Sequence, residues 1–172
     1  MDAMDNYPHH PVDDLARILS YQDAVDETAS IHEVASEMYS MSCWTPEFCA
    51  ALIRAADLVG GYTSHESDPV PGQEISLAAI SPSLFEAVQN DMGMRVWPQL
   101  QQHWPLIDYH GINDAFIIRY EVGGQEELRI HHDVAQVSAS VKLNSDYLGA
   151  ELQFPRQEFS NADMSVGSLI AW

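Results

Sequence analysis

An α+β fold is expected from the amino-acid sequence, with helices first and a β-sandwich or jelly roll after them. Three observations carry this. Apolar residues recur at helical spacing up to about residue 96, and the spacing switches to strict alternation from about residue 114. Turn residues then separate several short apolar runs, the mark of closely spaced antiparallel strands. At 172 residues and 46% apolar composition, the chain suffices for a single domain with a sizeable core.

Taken in order, residues 1–11, with Pro8, His9, His10 and Pro11, read as a flexible tail. Residues 12–113 form a mainly helical part. Val12, Leu15, Ile18, Leu19, Val25, Ile31, Val34, Ala35 and Met38 predict helical segments with one apolar stripe across residues 12–40. Thr45-Pro46-Glu47 is a helix start: hydroxyl N-cap, proline in the first turn, then an acid. That helix should run through Phe48, Leu52, Ile53 and Ala56 and stop at Gly60-Gly61. Residues 62–74 read as a loop, a candidate lid. Ser81-Pro82 opens another helix, through Leu84, Phe85, Val88, Met92 and Val96, which Pro98 should disturb.

Residues 114–172 form the β-rich part. Phe116, Ile118 and Tyr120 alternate with Ile117, Arg119 and Glu121, which predicts a strand ending at a Gly123-Gly124 turn. A second strand should carry Leu128, Ile130 and His131-His132-Asp133. Residues 137–143, 151–154 and 166–172 predict three more, the last after an Asn161-Ala162-Asp163 turn. No internal repeat is present.

The formal net charge is -19, from 26 acidic and 7 basic residues. Such a chain repels phosphate backbones and anionic bilayers, so neither nucleic acid nor membrane is an expected partner. Solubility alone accounts for the charge; attraction for a cationic substrate, such as a lysine-like amine, is the sharper alternative. No apolar run reaches membrane-spanning length, and Met1-Asp2-Ala3-Met4-Asp5 lacks a secretion-signal pattern, so a cytoplasmic protein is expected. Cys43 and Cys49 are too few for a disulfide framework. Six residues apart on one helical segment, they should face different ways and stay reduced. Homo-oligomerisation is left open.

The chemistry concentrates at His131-His132-Asp133. On a strand, alternation puts His131 and Asp133 on one face and His132 on the other. An imidazole and a carboxylate then converge on one point, two members of the facial triad that holds non-haem iron(II) with open positions. Tyr120, eleven residues before His131 across the Gly-Gly turn, would stand beside them in a hairpin, or serve as a core tyrosine.

Arg119-Tyr120-x-x-Gly-Gly-Gln, Leu128-x-x-His131-His132-Asp133, Val141-Lys142-Leu143-Asn144 and Asp146-Tyr147-x-Gly149-Ala150-Glu151-Leu152-x-Phe154 occur in that order. Together they resemble the core of iron(II)/2-oxoglutarate-dependent dioxygenases, nearest the lysyl and prolyl hydroxylase branch and its small bacterial members. The ordered motifs span about residues 114–172; Trp97-Pro98, Trp104-Pro105 and Tyr109-His110-Gly111 fit more loosely. The resemblance implies a double-stranded β-helix, or cupin-like jelly roll, with His131 and Asp133 as iron ligands and Tyr120 at 2-oxoglutarate. Ser140 is implied as a weaker co-substrate contact. Arg119 points away from Tyr120 and is not assigned to the pocket. Lys142, on the Ser140 side, either reaches an anion or snorkels at the surface. The implied activity is hydroxylation, or a related oxidation, of an unactivated C–H bond in a free, small-molecule or peptidyl amino acid, with O2 consumed and succinate and CO2 released. A carboxylate at position 133 favours hydroxylation over halogenation.

The family pattern also requires a distal histidine and then a basic residue pairing with 2-oxoglutarate, both after a strand like 167–172, where this sequence ends. A longer parent protein is the favoured expectation, ahead of a completing second chain and a degenerate relative. His103 and His110 are weak substitutes for the third ligand. Ala150 stands where the usual pattern has a second glycine. The rival functions are a jelly-roll binding module without the complete metal site and a cupin-type metalloenzyme without 2-oxoglutarate.

Overall fold

The computed structural model describes residues 21–64 and 70–172. The predicted tail, the start of the 12–40 segment and the middle of the 62–74 loop lie outside them. The chain is α+β with antiparallel sheets. Among the described residues no helix is long and apolar enough to cross a membrane.

Residues 21–40 correct the first helical expectation. A single 3-10 turn, Tyr21–Ala24, precedes a hairpin of β1 (His32–Ala35) and β2 (Met38–Ser42). Glu37 turns this hairpin at a φ of 58°. The apolar spacing suits a helix, but β2 finds a partner far along the chain in β8 (Ser168–Ala171), with Tyr39 opposite Ala171 and Met41 opposite Leu169. A ladder with partners on both sides of β2 outweighs a local preference that is a weak prior.

Helix α1 (Pro46–Val59) forms as its caps predict. The Thr45 hydroxyl accepts from the Phe48 N–H, and the Gly60 N–H donates to the Ala56 carbonyl at 2.9 Å. Phe48, Leu52, Ala55 and Ala56 lie on its buried stripe. Strand β3 (Glu74–Ser76) leads into a single helical turn, α2 (Leu77–Ile80), and then α3 (Pro82–Asp91), which Ser81 caps. Pro98 does not break the next stretch of helix. A π-helical turn, Met92–Val96, comes between α3 and α4 (Trp97–Leu100) and puts Pro98 in the first turn of α4, where its missing N–H is tolerated.

Strand β4 (Phe116–Ile118) pairs with β3, Ile117 opposite Ile75. This corrects the expected hairpin: β4 has no partner at 128–133, and residues 119–138 carry no strand. Gly123-Gly124 does turn the chain, with Gly124 N–H donating to the Glu121 carbonyl. Strand β5 (Ala139–Val141) pairs with β8, and β6 (Gln153–Phe154) with β7 (Phe159–Ser160). The main sheet runs β1-β2-β8-β5; β3-β4 and β6-β7 are separate pairs.

Both faces of that sheet are covered. Tyr39, Met41, Leu169 and Ala171 face the helices in the core with Phe48, Leu52, Ile80, Val88, Trp97 and Leu100. The alternate residues Met38, Ser40 and Ile170 are buried too. Trp172 exchanges backbone bonds with Ser138, and its ring meets Phe154 edge-on at 4.9 Å, so the β6-β7 pair covers one end of this second face.

Cys43 and Cys49 are buried and free. Cys43 ends the β2 segment rather than sharing the helix, which corrects the single-helix expectation. Burial pushes its thiol up to about 12 and that of Cys49 to about 11. Beside Cys43, Arg95 grips Asp91 through two 2.7 Å bonds; Tyr21 donates to Asp91, and the Trp44 indole donates to Tyr21. This network fastens the π-helical turn to the segment joining β2 and α1.

Candidate active site

His131 and Asp133 lie in the irregular segment between β4 and β5. The His131 Nε2 is 3.2 Å from the Asp133 Oδ1, and both side chains are about one-third exposed, at 35% and 31%. The other ring nitrogen, Nδ1, is 2.9 Å from the Arg129 carbonyl oxygen. A carbonyl only accepts, so Nδ1–H donates to it and Nε2 is left facing the carboxylate. Two acceptors face each other unless a cation, a proton or a metal ion, lies with them. Backbone support of one ring nitrogen is how metal-binding histidines are oriented. Two donors about 2.1 Å from one metal ion and at right angles stand about 3.0 Å apart, close to the separation found here. The His-x-Asp proximity thus forms without the expected strand.

His132 is exposed. Tyr120 stands two residues beyond β4, 37% exposed, and partial burial holds its phenol above the usual range. Ser140 is in β5 opposite Ile170. Neither hydrogen-bonds to the His131–Asp133 pair. Among the described residues, no cluster of three histidine, cysteine, aspartate or glutamate side chains is arranged to hold a metal ion. The pair therefore fits one edge of a coordination sphere, and a third protein ligand is not found among them. His103 stacks on Tyr39 at 4.1 Å, and His110 is exposed.

Arg119 is held by Glu121 at 2.8 Å and Asp57 at 3.8 Å, with the Tyr62 ring beneath it. The 62–74 loop makes contacts toward the site segment: the Gln73 N–H donates to the Gln125 side-chain oxygen, and the Gln73 carbonyl accepts from Arg119 N–H.

Lys142 departs from the surface-lysine alternative. It is 8% exposed, and Nζ donates to the carbonyls of Asn161 at 3.1 Å and Ala162 at 2.6 Å, with the Tyr147 ring 5.9 Å away. A signal for it exists in the sequence: it is the sole lysine in the chain.

No family model matches the chain. It is 24% identical over 155 residues to a procollagen lysyl hydroxylase and glycosyltransferase of Acanthamoeba polyphaga mimivirus, an alignment covering 78% of this chain. The chain spans 16% of that relative's length. The similarity is distant.

Proposed function

We propose that the chain carries the jelly-roll core of an iron(II)/2-oxoglutarate-dependent dioxygenase that hydroxylates a C–H bond of an amino acid or an amino-acid-derived small molecule. The observation that carries this reading is the His131 Nε2–Asp133 Oδ1 approach of 3.2 Å, with Nδ1 tied to the Arg129 carbonyl. The distant similarity to a lysyl hydroxylase supports the reaction class. The relative's name also includes a glycosyltransferase, an activity left out of this reading.

In this reading His131 and Asp133 hold iron(II), with the imidazole orientation set by Arg129 before metal arrives. That spares the ring a rotational search on binding. When bound, iron and 2-oxoglutarate supply the oxidising chemistry with O2, releasing succinate and CO2. Tyr120 and Ser140, neither of which hydrogen-bonds to the pair, are the residues assigned to the co-substrate in this reading, each through an O–H donor.

The test is anaerobic titration with iron(II) and 2-oxoglutarate, followed by a screen of L-amino acids scored by succinate release. Succinate formation that survives in His131→Ala or Asp133→Ala would overturn the site assignment. One observation favours a second reading, a jelly-roll binding module: the missing third ligand among the described residues. A protein that binds ligand but takes up no iron would establish it.

A further inference from the structure

We propose that a cleft on the outward face of the β3-β4 pair binds a guanidinium group, held by the carboxylates of Glu74 and Asp114 and stacked on the Phe116 ring. The register builds this cleft. In the β3-β4 ladder Ser76 lies opposite Phe116 and Glu74 opposite Ile118, and an isolated bridge sets Thr63 opposite Glu74. Directly paired residues share a face, and residues two apart along a strand share one too. Thr63, Glu74, Ser76 and Phe116 therefore stand on one face, while Ile75 and Ile117, 4% and 8% exposed, turn the other into the core. On the first face the chain leaves a cleft of about 280 Å³, whose lining includes these four residues and Asp114.

The chemistry of the lining selects the ligand. Two carboxylate-bearing residues line the cleft, and no lysine or arginine does. Arg119 follows β4 on the face of Ile117, not of Phe116, and is paired with Glu121 and Asp57. Among the described residues the Asp114 carboxylate makes no ion pair or hydrogen bond. The Phe116 ring is 42% exposed, and a ligand stacked on it would remove that apolar surface from water. The net charge of -19 adds a long-range attraction for cations. A divalent metal ion needs several fixed oxygen donors, and among the described residues no three acidic, histidine or cysteine side chains are grouped to hold one. An ammonium is compact and strongly hydrated, so a hydrocarbon wall strips its water without replacing it. A guanidinium is planar and weakly hydrated. Its face stacks on an aromatic ring while the N–H groups at its edge bond carboxylates in pairs.

Neither His131 nor Asp133 lines the cleft, so the inference does not rest on the oxygenase reading, and its test uses protein without iron or 2-oxoglutarate. The guanidinium belongs either to a free small molecule or to an arginine side chain in a peptide. Protein carrying 13C-labelled phenylalanine is titrated with L-arginine and, in a parallel arm, with the tripeptide Gly-Arg-Gly; L-lysine and magnesium chloride are the comparators. The Phe116 ring resonances, assigned through Phe116→Leu, are expected to shift saturably with arginine, and the tighter of the two arms names the source. By calorimetry, binding should weaken about tenfold in Glu74→Gln, where a half-buried carboxylate is lost. It should weaken about threefold in Asp114→Asn, where the carboxylate is exposed. Asp114 holds no other part of the fold through hydrogen bonds, so its variant tests the cleft even if Glu74→Gln does not fold. Phe116 resonances unmoved in both arginine arms, lysine or magnesium bound as tightly as arginine, or an affinity unchanged in Asp114→Asn would each overturn the proposal.

Discussion

Gly167 joins three parts of the molecule, so its replacement by alanine tests how the main sheet is held. Its carbonyl accepts from both Cys43 N–H at 2.9 Å and Trp44 N–H at 3.0 Å, while its own N–H donates to the Lys142 carbonyl at 2.8 Å. The residue has a φ of +85°, and an added Cβ would fall 1.8 Å from the Trp44 carbonyl oxygen. That oxygen is backbone, so it has no rotamer to escape into. The left-handed conformation costs about 1–2 kcal/mol with a side chain. Relieving the clash requires moving residue 167 away from residue 44, which strands donors on Cys43 and Trp44, 0% and 7% exposed. Each buried unsatisfied donor costs about 1–3 kcal/mol. The expected loss is therefore at least about 3 kcal/mol, a large share of the roughly 5–15 kcal/mol that holds a domain together. In a thermal melt this is a fall of at least about 6 °C for a chain of this size. Gly123→Ala is the control: its φ is +79°, but nothing lies within 4 Å of the added carbon. It carries the conformational cost of about 1–2 kcal/mol alone. Urea denaturation of both variants checks the difference. Equal destabilisation of the two would refute the clash and the stranded donors.

Three further outcomes are expected. Asp133→Asn keeps the shape of the side chain but loses its charge, so iron(II) affinity by anaerobic calorimetry should fall at least about tenfold with little change in melting temperature, since the pair is one-third exposed; unchanged affinity would remove Asp133 from the metal site. Ala150 sits at a φ of 58°, where glycine is unstrained, so Ala150→Gly should be stabilising or neutral by up to about 1 kcal/mol in urea denaturation. Cys43 is held protonated by burial, so stability tied to it is present below about pH 9 and is lost as pH rises toward about 12, at about 1.4 kcal/mol per pH unit. Native protein should also resist a thiol reagent at pH 8 until denaturant is added; rapid labelling of the folded state would contradict the burial.

Some of this was legible in the sequence because the determinants are local. The Thr45-Pro46 start and Gly60 stop of α1 are settled within a few residues by capping chemistry, and both are found. Strands at 116–118, 139–141, 153–154 and 168–171 fall within segments where alternation and turn residues predict them. The His131–Asp133 approach needs only three residues, so it survives even though the strand expected to create it is absent. Tyr120 was different: its placement beside the pair depended on a hairpin that β4 does not make.

Short stretches of chain thus dictate the α+β class, the caps, four of the eight strand positions and the candidate ligand pair. Long-range assembly settles the rest. Residues 32–42 have a spacing that suits a helix, yet become a hairpin because Tyr39 and Met41 find Ala171 and Leu169 more than a hundred positions away. Strand β4 pairs with β3 instead of the segment bearing His131 for the same kind of reason. Lys142 could be seen to be the only lysine, but its burial among neutral partners required the second face of the sheet to be assembled. Backbone pairing and desolvation are set by partners distant in the chain, and no local window contains them.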